Sequence, residues 1–108
     1  DSLSIWMKYN SKSIYGCKDA PENFNVPENT LLTYNSQTKR LYVHLMEYPA
    51  THSLILTDYK NKIKYIQFLH DGSEIKIKKN DIDNNDIVLV LPEKKPNMEI
   101  PVIELVLE

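Results

Sequence analysis

Few residues in this 108-residue chain have the type and spacing that metal or redox chemistry requires. The chain has three histidines, His44, His52 and His70, and one cysteine, Cys17. Zinc sites use such ligands in closely spaced pairs, and neither Cys-x-x-Cys nor His-x-His occurs. A single cysteine also excludes an internal disulfide. We therefore predict no zinc site and no cofactor, and we interpret the histidines as packed or surface residues.

The segment from Asp81 to Asn85 resembles the start of a calcium-binding EF-hand loop, because side-chain oxygens stand at its first, third and fifth positions. An EF-hand needs glycine at position six and a bidentate glutamate at position twelve, and these positions hold Asp86 and Pro92. We interpret the segment as a polar turn and predict no calcium.

Charge and hydropathy argue against two classes of partner. The 15 acidic and 13 basic residues give a net charge of −2, and the lysines are scattered, so the chain lacks the positive field that nucleic acid requires. No apolar run approaches the roughly 20 residues that a membrane-spanning helix needs. We predict neither a nucleic-acid partner nor a membrane partner.

The strongest structural pattern is the run from Arg40 to Pro49, which predicts a central β-strand. Leu41, Val43 and Leu45 fall on one face. Tyr42, His44 and Met46 fall on the other, so neither face is fully polar, as is typical of a central strand. Pro49 would end the ladder because it lacks a backbone donor. Similar short runs, separated by polar turns, predict further strands over residues 30–34, 53–57, 63–70, 74–78, 86–91 and 100–107.

These runs predict one all-β domain, a two-sheet antiparallel β-sandwich of about seven or eight strands with a short N-terminal helix. The connections are too brief for crossover helices. Residues 30–34 should form a hairpin with the central strand, and Asp71-Gly72 predicts a type I′ hairpin. Ile75 and Ile77 should face inward, and residues 86–91 should be buried on both faces. We predict a loop over residues 18–29.

The N-terminal residues 1–9 predict a short helix that is apolar nearly all round. Leu3, Trp6 and Met7 share one helical face, and Ile5 and Tyr9 share another. Two turns of helix are not stable alone, so this helix needs partners on more than one side. The helix either plugs one end of the sandwich core or lies against a second domain.

Several motifs follow one another along almost the whole chain. The first is the segment from Trp6 to Cys17, and the others are Leu41-Tyr-Val-His-Leu with Pro49, Leu69-His-Asp-Gly72, Val90-Leu-Pro92 and Pro101-Val-Ile-Glu-Leu105. Together they resemble the α-L-fucosidases of glycoside hydrolase family 29. The family pattern for the first segment is W-x-x-x-N-G-E-x-I-Y-G-T, so Ser11 and Lys12 replace Gly-Glu and Cys17 replaces threonine.

The resemblance implies a non-catalytic C-terminal domain, with residues 1–29 connecting it to a catalytic (β/α)₈ barrel and residues 30–108 forming the sandwich. The catalytic carboxylates of the family belong to that barrel, and no position here matches their motifs, so we predict no catalytic residue and no enzyme activity for this chain alone. The predicted partner is the barrel of the same polypeptide, which hydrolyses terminal α-L-fucosyl linkages. A secreted, periplasmic or lysosomal location is implied. The residues predicted at the domain interface are Ile5, Trp6, Tyr9, Ile14 and Tyr15.

Two alternative functions remain open at this stage. A carbohydrate-binding module, with a glycan as its partner, would need an exposed aromatic platform built from Tyr34, Tyr48, Tyr59 or Tyr65. An immunoglobulin-like interaction domain is the other alternative, although the Cys and Trp framework of true immunoglobulin domains is missing. A flat cluster of exposed aromatic rings would favour the module, and an apolar patch beside Trp6 would favour the accessory domain.

Overall fold

The computed structural model of the chain describes residues 6–8, 10–79, 85–96 and 100–108, and it is an all-β, two-sheet antiparallel sandwich as the sequence predicted. Within the described residues there is no helix between Thr38 and Glu108. The described strands are β1 Lys18–Asp19, β2 Thr30–Asn35, β3 Arg40–Leu45, β4 Ser53–Leu56, β5 Ile63–Phe68, β6 Lys76–Lys79, β7 Ile87–Val90 and β8 Val102–Leu107.

The strands form one sheet of five, in the order β1-β2-β3-β8-β5, and one sheet of three, in the order β4-β7-β6. The larger sheet has the predicted central strand, β3, in its middle. Its predicted hairpin with β2 is also confirmed, since Thr30 pairs with Leu45 and Asn35 pairs with Arg40. The Asn35 side-chain oxygen accepts hydrogen bonds from two backbone amides of the turn, which fixes this connection.

The core lies between the two sheets and follows from the alternation of β3. Leu41, Val43 and Leu45 are fully buried, and across the register they meet inward-facing side chains of the neighbouring strands. The smaller sheet closes the core from the other side. Its main contributors are Leu54, Leu56 and Leu89, and loop residues Phe24, Tyr59, Ile75 and Leu91 complete the cluster.

Strand β1 was not predicted, because residues 18–29 were interpreted entirely as a loop. Lys18 and Asp19 are both exposed and pair only with the outer edge of β2. A strand of two polar residues has no alternation of apolar and polar positions, so the sequence pattern could not predict it. The rest of this segment folds back onto the sandwich, where Tyr59 donates a hydrogen bond to the carbonyl oxygen of Asn25.

The predicted type I′ turn at Asp71-Gly72 is wrong. Gly72 has a positive φ of 72°, but Asp71 does not, and the chain turns through four residues between Phe68 and Ser73. The pairing with β5 ends almost at once, after a bridge between Gln67 and Glu74. The chain then crosses to the smaller sheet. This turn therefore connects the two sheets and does not form a hairpin between two long paired strands.

The smaller sheet is less covered than the sequence suggested. Ile75 is buried as predicted, but Ile77 is half-exposed because β6 lies at the edge of its sheet. The prediction that residues 86–91 are buried on both faces is also wrong, because Val90 and its neighbour Ile55 are half-exposed. An apolar run alone does not tell whether a second layer covers the outer face.

The N-terminal segment is helical where it is described, at residues 6–8 and 10, and a 3₁₀ turn, Ser11–Ser13, extends it beyond the predicted end. The remainder of the predicted helix lies outside the described residues. Asn10 and Ser13 are fully buried, although both are polar. Their burial shows that this segment lies against the body of the sandwich and not in solvent.

A matched pair of leucines on adjacent strands tests this arrangement. Leu41→Ala should lower the free energy of unfolding by about 2–5 kcal/mol, because it leaves a cavity in the core. In a domain of this size that loss lowers the melting temperature by about 8 °C or more. Leu31→Ala, on the outer face, should change the free energy by no more than about 0.5 kcal/mol. Equal effects in thermal denaturation followed by circular dichroism would contradict the assigned faces.

Candidate functional site

The candidate site is the outer face of the five-stranded sheet, which the N-terminal segment covers in part. The indole nitrogen of Trp6 donates a hydrogen bond to the carbonyl oxygen of Ile100 over 2.7 Å. The Trp6 ring lies against the His44 imidazole, with 6.3 Å between the ring centroids. Since Ile100 precedes β8 and His44 belongs to β3, this one side chain fastens the segment to the middle of the sheet.

Thr33 on β2 makes a second contact between the N-terminal segment and the sheet. Its hydroxyl donates to the carbonyl oxygen of Ser13 over 2.6 Å, and it lies 3.1 Å from Nε2 of His44. A threonine hydroxyl has one proton, so the proton of the second bond comes from the imidazole. His44 is buried, and burial lowers its pKa because the charged ring would lose hydration, although the backbone at Ser13 acts in the opposite direction.

The same face carries a buried carboxylate next to His44, that of Glu104 on β8, which pairs with Tyr42 and is only 6% exposed. Tyr42 donates to one of its oxygens over 3.0 Å, and the Gln67 amide donates to the other over 2.5 Å. Burial raises the pKa of the Tyr42 hydroxyl, and the neighbouring carboxylate raises it further. The three side chains come from β3, β5 and β8, so the sheet itself holds them in register.

These side chains form the floor of an open groove of about 550 Å³, which we call the Glu104 groove. Its rim includes two cations, Lys12 and Arg40, for which the described part of the chain contains no ion-pair partner. The groove is lined by Ser11, Lys12, Tyr15, Asn35, Thr38, Arg40, Tyr42, Gln67 and Glu104.

The structure separates the five residues predicted at a domain interface. Trp6 is half-buried against the five-stranded sheet, whereas Tyr15 is 69% exposed at the rim of the Glu104 groove. Ile14 is exposed next to it. Ile5 and Tyr9 lie outside the described residues.

Two exposed apolar side chains near His44, on which Trp6 packs, are not among the predicted interface residues. Leu31 pairs with His44 across the sheet and so shares its face, and Met46 follows His44 by two residues. They are 52% and 54% exposed. We call Trp6, Leu31 and Met46 the Trp6 patch. The alternation of β3 placed Met46 on this face, but nothing in the sequence showed that the cover stops short of it.

The four tyrosines considered for a sugar platform do not form one. Tyr59 is fully buried, and Tyr34 and Tyr48 pack against the core. Tyr65 is exposed, but on its own it is not a platform. The exposed ring of Tyr15 was assigned to the domain interface in the sequence, and Glu104 was missed as a site residue because its segment has the pattern of a buried strand.

Metal and membrane features can be stated only for the described residues. In that part of the chain no three histidine, cysteine or acidic side chains lie together as a metal site. Residues 81–84, most of the EF-hand-like segment, lie outside it. No helix among the described residues has the length and apolar character needed to cross a bilayer.

Sheet order and face-to-face packing place the chain in the class of two-sheet antiparallel β-sandwiches. Among solved structures, that sandwich is similar to part of several α-L-fucosidases, which confirms the resemblance to glycoside hydrolase family 29 predicted from the motifs. No protein-family model and no curated protein matches the chain.

The similarity covers nearly all of this chain and about a quarter of each fucosidase. Alpha-L-fucosidase isoenzyme 1 from Paenibacillus thiaminolyticus is 26% identical, with a TM-score of 0.83 over 98% of this chain and 25% of that one. The Bacteroides thetaiotaomicron enzyme is 20% identical, with a TM-score of 0.80 over 98% and 23%. The Thermotoga maritima enzyme is 16% identical, with a TM-score of 0.72 over 96% and 25%. The last two likenesses show the fold alone.

His44 makes the stability of the chain depend on pH in a predictable direction. Its pKa is lowered on folding, so the unfolded chain binds its proton more readily. The stabilisation from the neutral ring is complete above the ordinary pKa of about 6.5 and is lost as pH falls through the lower folded value.

The melting temperature should therefore fall between pH 7.5 and pH 5, and His44→Gln should reduce that fall. His52→Gln is the control and should keep the wild-type dependence. The assignment is contradicted if both variants lose stability with pH as the wild type does.

Proposed function

We propose that this chain is the non-catalytic C-terminal accessory domain of an α-L-fucosidase, and that it packs on a catalytic (β/α)₈ barrel of the same polypeptide and stabilises it. The observation that carries the proposal is the similarity of 98% of the chain to about a quarter of the Paenibacillus thiaminolyticus fucosidase. The chain has its own hydrophobic core, and its 108 residues are a typical length for one domain of a larger enzyme. Residues 1–29 would then be the connection, and residues 30–108 the sandwich.

The Trp6 patch is the surface we assign to the barrel. Leu31 and Met46 are apolar and half-exposed, and Leu31 pairs across the sheet with His44, on which Trp6 packs. Exposed apolar clusters of this kind mark protein interfaces. The interface would also include Ile5, Tyr9 and Ile14, whereas Tyr15 lies farther along, at the Glu104 groove.

The activity of the whole protein belongs to this proposal. One structure of the Bacteroides thetaiotaomicron fucosidase contains a trapped covalent intermediate, which supports a retaining mechanism in that enzyme. By analogy we propose that the parent protein hydrolyses terminal α-L-fucosyl linkages with retention. A location in a compartment where glycans are degraded, outside the cytoplasm, is part of the same proposal.

The chain alone should fold and should not hydrolyse an aryl α-L-fucoside. It should fold because its own strands build the core. It should be inactive because its buried carboxylate, that of Glu104, is hydrogen-bonded to Tyr42 and Gln67, and no second carboxylate lines the groove around it. The measurement is release of the aryl alcohol by purified chain. Turnover that persists through repurification and is lost in Glu104→Gln would place the chemistry here and overturn the proposal.

The interface should be detectable when the natural upstream residues precede Asp1. In that longer polypeptide, Leu31→Ser combined with Met46→Ser should lower the free energy of unfolding by about 1–3 kcal/mol for each side chain that the barrel buries. In the 108-residue chain the same double variant should change it by at most about 0.5 kcal/mol, because both side chains already face water.

Ile55→Ser is the matched control, since Ile55 is equally exposed on the smaller sheet. It should have little effect in either polypeptide. The proposed interface is wrong if the double variant is silent in the longer polypeptide, or if the Ile55 variant alone destabilises it. An upstream reading frame that does not encode a barrel would overturn the accessory role itself.

A further inference from the structure

We propose that the Glu104 groove is a binding site for a neutral saccharide. The site goes beyond the accessory role, because packing on a barrel does not require a sugar to bind to this domain. The choice of a fucosylated probe below rests on the proposed function. Binding itself does not.

The floor of the groove is a pre-organised acceptor. Glu104 is buried, and each of its oxygens already receives one hydrogen bond, from Tyr42 and from Gln67. A carboxylate offers about four lone-pair positions, so two donors leave acceptor capacity for a ligand. Because β3, β5 and β8 hold these three side chains, a ligand hydroxyl would meet an acceptor whose position is already fixed.

The rim supplies donors of the opposite charge. Lys12 and Arg40 line the groove, and within the described residues neither forms an ion pair that would neutralise it. An anionic ligand would lie against the Glu104 carboxylate, and a cationic one against Lys12 and Arg40. A neutral polyol both donates and accepts, so it is the ligand class that satisfies the floor and the rim together.

Tyr15 gives the groove its aromatic wall. Its ring is the most exposed aromatic among the described residues, at 69%, although it borders a polar floor. Gly16 has a positive φ of 75°, and a Cβ there would come within 3.3 Å of the Asn35 side chain, so glycine allows the chain to turn closely over β2. The turn holds the tyrosine at the rim, where its apolar face can pack on the C–H face of a sugar ring.

The size of the groove agrees with such a ligand. About 550 Å³ lies within the range of roughly 300–1,000 Å³ found for small-molecule sites, which combine an apolar wall with a few placed polar groups. The groove is open to solvent, so a saccharide bound there could be part of a longer glycan.

Titration of the isotope-labelled 108-residue chain with fucosyllactose, followed by NMR, tests the proposal. We expect saturable shifts at Tyr15, Arg40 and the Gln67 side-chain amide. Tyr15→Ala and Arg40→Gln should each weaken binding about tenfold, the loss expected for one stacking or charged hydrogen-bonding contact. Both side chains are on the rim, so the variants should keep the wild-type spectrum elsewhere, whereas a Glu104 variant can fail to fold.

Val26→Ala is the control, because Val26 is exposed but does not line this groove, and its affinity should equal that of the wild type. Lactose and sulfate define specificity: binding of lactose supports a general saccharide site, and displacement of the sugar by sulfate would overturn a neutral-ligand site. The proposal is also overturned if neither fucosyllactose nor lactose causes saturable shifts, or if shifts survive both rim variants unchanged. A saccharide that binds this chain while the Trp6 patch variants are silent in the longer polypeptide would support the saccharide site and overturn only the proposed interface.

Discussion

The burial of β3 on both of its faces is the constraint on which the rest of this structure depends. The core covers Leu41, Val43 and Leu45 on one side, and the N-terminal segment covers His44 on the other. A strand in the middle of a five-stranded sheet has no free edge, so only its faces can be exposed. The chain supplies both covers itself, but the outer one rests on a few hydrogen bonds, each worth only about 0.5–1.5 kcal/mol net.

That outer cover divides the face into two chemically different regions. In one region, Trp6 packs on His44 and leaves Leu31 and Met46 half-exposed, which suits a large apolar partner. In the other region, the sheet carries Glu104 with its two donors below an open groove, which suits a small polar ligand. The packing role and the binding role therefore use neighbouring regions of one sheet face that share no residue, and variants can test them separately.

The alternation of apolar residues in the sequence predicted the strands and their core-facing sides. It did not show which outer faces a second layer of structure covers. Period-two patterns identified the class of fold, the central strand and its hairpin, because each apolar face there meets the core. The same patterns failed at Val90 and Ile77, where the strand exists but its outer or edge position has no cover. At the candidate site, Trp6 and Tyr15 stood out by residue type, but Glu104 became recognisable only when the register placed it between Tyr42 and Gln67.

Side-chain labelling by hydroxyl radicals tests most directly whether the Trp6 patch faces a second domain. Leu31 and Met46 on the patch, and Ile55 and Val90 on the smaller sheet, are similarly exposed in this chain, and each should be labelled at a rate close to that of a free residue of its own type. When the natural upstream residues precede Asp1, we expect strong protection of Leu31 and Met46 and unchanged labelling of Ile55 and Val90. Unchanged labelling of Leu31 and Met46, or protection of the smaller sheet in their place, would contradict this expectation.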